Sequence, residues 1–440
     1  VNNVLCFPFI FRGALDVGAT TINEEMKLAC VRAIADLAMA ESSAEVAGAY
    51  GDAELTFGPE YLIPKPFDPR LIARIAPAVA KAAMDSGVAT RPIADLDAYA
   101  EKLTEFVYKT SLFMRPVFNQ ARKDIKRIVL TEGEDERVLH AAQQVVSQKL
   151  AFPILVGDAK LIEERLHSQG LTIQPGKDFE LVDIKNSPYY EASWKEYYNL
   201  RKRKGVTEEM ARRRLKANST LVGALLVRLG HADGLVCGTM GRFHDHFAVM
   251  EEVIGYNNPE KEAFTMNALI SNKGNFFIAD TYINENPTAE QLAKGTLMCA
   301  AEMKRFGLKP KVALVSNTNY GSNRNPDANK MQQALELIRE LDPALEIDGE
   351  MQADVALDEE MRKSIFPETT LSGAANLLVM PNVEAANISY NLLRVNATNG
   401  ITVGPILMGL NKPVQIVTPI STVRRIVNMI ALAAVDAQRQ

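Results

Sequence analysis

Gly404-Pro-Ile-Leu-Met-Gly-Leu-Asn-Lys-Pro-Val414 is the stretch on which the reading of this chain turns, because of what stands on either side of it. After it come Thr418, Pro419 and Arg425. Proline has no side-chain donor, and a guanidinium is always protonated, so it accepts no proton. Before it, short apolar runs alternate with longer helical stretches. The runs are Ile128-Val-Leu130, Pro153-Ile-Leu-Val156, Gly234-Leu-Val-Cys237, Lys311-Val-Ala-Leu-Val315 and Leu377-Leu-Val-Met380. Strands and helices in alternation predict an α/β fold with a largely parallel sheet. The first run leads into a helix whose opening turn carries Glu134, Asp135 and Glu136, placed favourably against the macrodipole.

A chain of 440 residues is too long for one core and predicts several domains. Its 47% hydrophobic and 23% charged residues are those of an ordinary globular protein. The net charge of −5 gives no general pull toward nucleic acid or an anionic membrane. No apolar run reaches the ~18–20 residues of a spanning helix. Val1-Asn2-Asn3 has neither an initiator Met nor a basic leader before an apolar run, which argues against a signal peptide. Cys6, Cys30, Cys237 and Cys299 show no C-x-x-C spacing. That argues against a disulfide frame or a structural zinc site and predicts small buried hydrophobes in a reducing cytoplasm.

At the start, Val4-Leu-Cys-Phe7 reads as a buried strand with nothing before it to pair with, as though the chain began in mid-domain. Thr21-Ile-Asn-Glu24 fits a capping box opening a helix through about Ala40. Asp68 before Pro69 predicts an N-cap, with the helix running to about Asp85, kinked or broken at Pro77 and ended by Gly87. Residues 94–122 read as an amphipathic helix through Leu96, Tyr99, Leu103 and Phe106. The polar stretch 122–127 is the expected linker, separating residues 1–121 from 128–440.

Several common chemistries have no motif here. There is no G-x-x-x-x-G-K-[ST] loop, no G-x-G-x-x-G after a strand in the first domain, and no H-E-x-x-H, G-x-S-x-G or zinc-type cluster. His244 and His246 share a face only on a strand, since on a helix they point about 200° apart. A polar cleft or interface role outweighs metal binding for them. The run Arg212-Arg-Arg214 reads as a solvated helix face. Arg201-Lys-Arg-Lys204 stands at a helix end beside Gly205, where cations converge on a phosphate-rich ligand or simply face water. Ser316-Asn-Thr-Asn-Tyr-Gly-Ser322 follows a strand directly. It is either a ligand loop at the carboxyl end of that strand or a hydrogen-bonded turn with Gly321 at positive φ.

Two stretches carry family resemblances. Asn2-Asn-Val-Leu-Cys-Phe-Pro8, Phe11-Arg-Gly-Ala-Leu-Asp16, Tyr61-Leu-Ile-Pro-Lys-Pro-Phe-Asp-Pro-Arg70 and Val88-Ala-Thr-Arg-Pro92 resemble the C-terminal part of a malic enzyme. That resemblance implies a partial Rossmann-like segment in which Asn2 and Asn3 lie near nicotinamide and malate. The rest of that active site is absent from these residues. Thr131-Glu-Gly-Glu-Asp-Glu-Arg137, Arg201-Lys-Arg-Lys-Gly-Val-Thr207, Ala232-Asp-Gly-Leu-Val-Cys-Gly238, Asn286-Pro-Thr-Ala-Glu-Gln-Leu292 and the 404–414 stretch resemble phosphotransacetylase. This second resemblance implies two α/β subdomains, 128–251 with 403–440 and 252–402, around a coenzyme A cleft.

Against that family's pattern this chain departs at the reaction centre. The family carries a Ser-Arg pair, then an Asp seven residues after the Ser, where this chain has Thr418, Pro419 and Arg425. A second family arginine has no match near Phe247, Ala248 and Val249, while its first basic residue is retained as Arg201. The order of the two resemblances is that of the large bacterial hybrid malic enzymes, and implies that the chain is the C-terminal portion of one, truncated or cleaved from a longer protein. The parent would use NADP, a divalent metal (Mg or Mn) and malate, none of them held by this chain alone. The expectation is an acetyl-CoA-sensing module, catalytically silent and homo-oligomeric, with acetyl-CoA contacts at Arg201, Lys204, Asn317, Thr418 and Arg425. Feedback from acetyl-CoA makes chemical sense, since it lies downstream of pyruvate. An active acetyltransferase and a pure oligomerisation scaffold are the alternatives.

Overall fold

The computed structural model describes residues 3–39, 62–64, 68, 70–183, 186–271, 274–323, 325–396 and 401–439. The chain divides into two compact units, Val1–Phe113 and Met114–Gln440. The division falls inside the helix Leu96–Ala121 and not at the polar stretch 122–127. Buried Met114, Val117 and Ala121 belong to the second unit, whose Gln438 amide donates to the carbonyls of Gln120, Ala121 and Asp124.

The first unit is helical among its described residues. Asn3–Asp16, Glu24–Met39 and Arg70–Asp85 pack together, burying Leu5, Ile10 and Ala14 against Met26, Cys30 and Ile34 and against Leu71, Ile75 and Val79. The expected strand at Val4–Phe7 is therefore the first turns of a helix. A short apolar run does not by itself distinguish the two. Here Leu5, Ile10 and Ala14 are all buried among the neighbouring helices, and Gly13 lets the backbones approach, since a Cβ there would lie 2.5 Å from the Ala76 carbonyl oxygen. The helix from Glu24 is capped by Asn23, whose side chain accepts from the Met26 amide at 3.0 Å, and not by Thr21. Asp68 caps the next helix as expected, accepting from the Arg70 amide at 2.9 Å. That helix runs through Pro77 without a break to Asp85.

The second unit holds two sheets. The first is five-stranded and wholly parallel, in the order β11-β4-β1-β2-β3: β1 is Arg127–Leu130, β2 Phe152–Gly157, β3 Glu180–Asp183, β4 Gly234–Cys237 and β11 Val414–Ile416. Val129, Ile154, Val182, Leu235 and Ile416 face a core completed by Trp194, Tyr197, Leu215, Leu221 and Met250 from the helices Tyr190–Arg201, Glu208–Ala217, Ser219–Arg228 and Phe243–Val253. Gly223 lets its helix lie close on the strands, since a Cβ there would sit 2.5 Å from Thr131 and 2.6 Å from Leu235. The helices Glu136–Ser147 and Val423–Ala437 pack against each other beside this sheet.

The second sheet is six-stranded and mixed, in the order β10-β5-β6-β9-β7-β8: β5 is Phe264–Ser271, β6 Gly274–Ala279, β7 Lys311–Val315, β8 Glu346–Met351, β9 Leu377–Val379 and β10 Ile401–Met408. The pairs β10–β5 and β5–β6 are antiparallel and the others parallel. The helix Ala289–Arg305, opened by a Thr288/Gln291 capping box, packs on it with Gly295 against the Phe264 ring. Because β10 pairs with β5, the return to the first sheet comes after Met408 and not at 403. The reason is local: Thr402, Val403, Ile406 and Leu407 bond across to Thr265–Leu269, and only β11 reaches β4.

Candidate functional site

The carboxyl ends of β1, β4 and β11 meet in one place, the position where open parallel sheets present ligand-binding loops. After β11 the Val417 amide donates to the Cys237 carbonyl at 2.7 Å. The chain then closes a turn in which the Thr418 amide donates to Ser421 Oγ at 3.1 Å and the Ser421 amide to the Thr418 carbonyl at 2.8 Å. Thr422 caps the helix Val423–Ala437. Gly238 is required beneath this turn: its φ is +100°, and a Cβ would lie 2.4 Å from the Val417 carbonyl oxygen.

Arg137 clamps the turn from the side. Its guanidinium donates to the carbonyls of Pro419 at 2.5 Å, Ser421 at 3.1 Å and Thr239 at 3.0 Å. It also pairs with Asp135 at 2.6 Å. Burial pushes the Asp135 carboxyl up, but its bonds to Arg137 outweigh that and hold it below the usual range. Glu132 lies deeper, almost fully buried, and accepts from the Thr131 hydroxyl at 2.8 Å and the Gly238 amide at 3.1 Å. Burial raises its carboxyl despite those bonds. His246 Nδ1 stands 3.9 Å from it and 2.8 Å from Thr220 Oγ1, while Nε2–H donates to the Met240 carbonyl at 2.7 Å. His244 and His246 are both on the helix Phe243–Val253, where they do not share a face. Both carboxylates nearest the turn are thus already engaged.

The second sheet supplies the facing wall. The Arg425 guanidinium donates to Thr402 Oγ1 on β10. Past β6, Asp280 accepts from the amides of Thr265 at 3.1 Å, Tyr282 at 3.2 Å and Asn284 at 2.9 Å, which fixes the loop carrying Tyr282. The Tyr282 ring stacks on Phe243 at 4.8 Å, so the two layers meet at an aromatic pair. Burial pushes the Tyr282 hydroxyl up, against the opposing pull of Arg425 and Arg394.

Thr418 and Arg425 therefore belong to one turn and helix start, on either side of Pro419. The other expected residues lie apart from them in hydrogen bonding. Arg201 pairs with Glu252 at 3.1 Å, and Lys204 is exposed in the single turn Lys202–Lys204 before Gly205, whose φ is +83°. Asn317 sits on the loop after β7, accepting from the Asn325 amide group at 3.1 Å. That loop is fixed from below by Glu350, fully buried, which accepts from Thr318 Oγ1 at 2.7 Å, the Gly321 amide at 3.0 Å and Gln332 at 2.8 Å. Asn2 lies outside the described residues, and Asn3 is the first residue of the opening helix. Glu132, Tyr282 and Glu350 escaped the sequence reading. The signal available for Glu132 was a carboxylate set directly after the apolar run 128–130.

Chemically, the arrangement offers a guanidinium and a tyrosine to an anionic or planar ligand, beside carboxylates that are already hydrogen-bonded. Among the described residues no helix is long and apolar enough to cross a membrane.

Comparison with known proteins fits this geometry. An NADP-dependent malic enzyme of Salmonella typhimurium is 61% identical over 438 residues, covering 100% of this chain, and the chain spans 58% of that relative's length. A phosphate acetyltransferase of Corynebacterium glutamicum is 33% identical over 74% of this chain and 98% of its own. A solved phosphotransacetylase from Streptococcus pyogenes superposes with a TM-score of 0.69 at 28% identity, over 75% of this chain and 99% of its own. The family described as Phosphate acetyl/butaryl transferase matches residues 112–434, and the chain belongs to it.

Proposed function

We propose that this phosphotransacetylase-like region is a catalytically silent acetyl-CoA sensor and homo-oligomerisation module attached to a cytoplasmic NADP-dependent malic enzyme. The parent reaction is oxidative decarboxylation of malate to pyruvate and CO2. The observation that carries the reading is the turn itself. Thr418, Pro419 and Arg425 stand where the family has Ser, Arg and Asp, Arg425 reaches across to Thr402, and Glu132 and Asp135 are committed to other bonds. A group that must take a thiol proton needs a free lone pair within reach. An arginine in that place instead binds a phosphate or thioester ligand.

Arg425 and Thr418 are the core of the proposed acetyl-CoA contacts. Asn317 and Lys204 extend them, and Arg201 contributes by sharing its guanidinium between the ligand and Glu252. Asn2 and Asn3 are the proposed contacts of malate and nicotinamide. Among the described residues no three His, Cys, Asp or Glu side chains gather to hold a metal ion. NADP and Mg or Mn are assigned to the parent enzyme on the likeness to NADP-dependent malic enzymes. A coupling of about 1–3 kcal/mol between the sites suffices for regulation.

The competing reading, a working phosphate acetyltransferase, draws on the name of the Corynebacterium relative. Isothermal titration of acetyl-CoA into the chain, beside an assay for acetyl-CoA formation from acetyl phosphate and CoA, separates the two. Saturable binding without turnover is expected, and turnover would sink the sensor. Arg425→Ala is expected to weaken binding roughly tenfold or more, the worth of a charge-assisted hydrogen bond. Unchanged affinity would remove Arg425 from the site.

A further inference from the structure

Two of the four cysteines touch. Cys6 Sγ and Cys30 Sγ are 3.3 Å apart, on the helices Asn3–Asp16 and Glu24–Met39, at positions 24 apart in sequence. Cys30 is fully buried, whereas Cys6 is partly exposed. The helices that carry them are fixed by Leu5, Met26 and Ile34 in the core of the first unit, so the two sulfurs are held together by packing and not by chance rotamers. Cys237 on β4 and Cys299 on the helix Ala289–Arg305 are both fully buried. Nothing in the proposed function uses the Cys6–Cys30 contact.

We propose that Cys6 and Cys30 are a redox-responsive pair that closes to an intramolecular disulfide when the chain meets a peroxide. The two thiols divide the work by exposure. Solvent reaches Cys6, so its thiolate attacks the peroxide oxygen; the O–O bond breaks, hydroxide leaves and takes up a proton, and Cys6 becomes a sulfenic acid. Burial and the neighbouring Cys6 push the Cys30 thiol up to about 12, which keeps it protonated and out of the first step. In the second step Cys30 Sγ attacks the Cys6 sulfur. The S–OH bond breaks, and the hydroxyl leaves with the Cys30 proton as water. The two thiols lose two electrons and two protons, and one peroxide becomes two waters. The second step is fast because the attacking sulfur is already in contact with its target, which replaces a bimolecular encounter by a short motion within the core. Closure ties the opening helix, one turn past Asn3, to its neighbour.

The test is hydrogen peroxide treatment of the full chain, then digestion without reductant and mass spectrometry. The expected product is a Cys6 peptide joined to a Cys30 peptide, two hydrogens lighter than their sum and separated by dithiothreitol. Cys30→Ser is expected to stop at a Cys6 sulfenic acid trapped by dimedone. Cys6 running on to sulfinic acid while Cys30 stays a free thiol in the unsubstituted chain would overturn the proposal, as would a disulfide joining two copies. Should Cys30→Ser not fold, Cys6→Ser serves in its place. Cys30 is then expected to resist peroxide, and its oxidation at the unsubstituted rate would count against the assigned order.

Discussion

Two charged clusters in the second unit invert one another. On the helices over the first sheet, one carboxylate serves two cations: Glu252 pairs with Arg201 at 3.1 Å and Arg214 at 2.9 Å. Between the helix Ala289–Arg305 and the helix Val423–Ala437, one cation serves two carboxylates: Arg305 pairs with both Glu302 and Asp436. The first cluster joins helices around a single core, and Arg214 keeps 41% of its side chain in water. The second spans the layers of both sheets, and Glu302 keeps only 6%. Guanidiniums are long enough to reach solvent when a partner is lost, whereas a buried carboxylate is not. The bridge between the layers is thus the more exacting of the two.

Removal of the shared cation should show this most strongly. Arg305→Met leaves Glu302 and Asp436 facing each other with only the weaker pull of Arg439 and the Gln415 bond to Asp436, and the expected loss is about 3–5 kcal/mol in urea unfolding. Adding Glu302→Gln to Arg305→Met should recover a large part of it. A loss under 1 kcal/mol would mean that water already reaches the bridge and that the two clusters are alike.

Next comes pH. Burial, then the neighbouring Asp436, raises the Glu302 carboxyl from 4.5 to about 7, against the opposing pull of Arg305. Because the folded value lies above the unfolded one, the folded state favours the proton. Its contribution to stability is full below pH 4.5 and is lost as pH rises through about 7. Comparing urea midpoints at pH 5 and pH 8, the chain should lose on the order of 3 kcal/mol more than the Glu302→Gln variant. Parallel pH profiles for the two would dismiss the buried, proton-holding Glu302.

How far these features were legible in the sequence follows from their range. Apolar runs announced β1, β2, β4, β7 and β9, because each run is a property of adjacent residues. The same signal misassigned Val4–Phe7, where packing against Arg70–Asp85 decides for a helix. The basic run at Arg201 was legible as charge, but its partner Glu252 stands 51 residues away, and Asp436 stands 131 residues from Arg305. Pairings at that distance leave no local trace. Glu302 did leave one: Leu292, Cys299 and Met303 are buried at helical spacing, and Glu302 falls on their face, so a carboxylate in a core stripe was there to be seen. At the site, Thr418, Pro419 and Arg425 stood out as departures from a family pattern, while Tyr282 did not, because its meeting with Phe243 joins two layers that only the fold brings together.

The smallest effect belongs to the first cluster and defines the contrast. Glu252→Gln removes the negative charge but keeps the shape, the Tyr197 hydroxyl and part of the hydrogen bonding. Arg214 can turn toward water and still lie over the Tyr197 ring, 5.4 Å from its centroid. Arg201, with 19% of its side chain exposed, has less room. The expected cost is about 1 kcal/mol, at the upper end for an exposed pair and well below the loss at Arg305. A shift in the urea midpoint as large as that of Arg305→Met would erase the distinction between the clusters. It would make Glu252 a buried anchor, and the Arg201 guanidinium would then be too firmly held to share with a phosphate of acetyl-CoA.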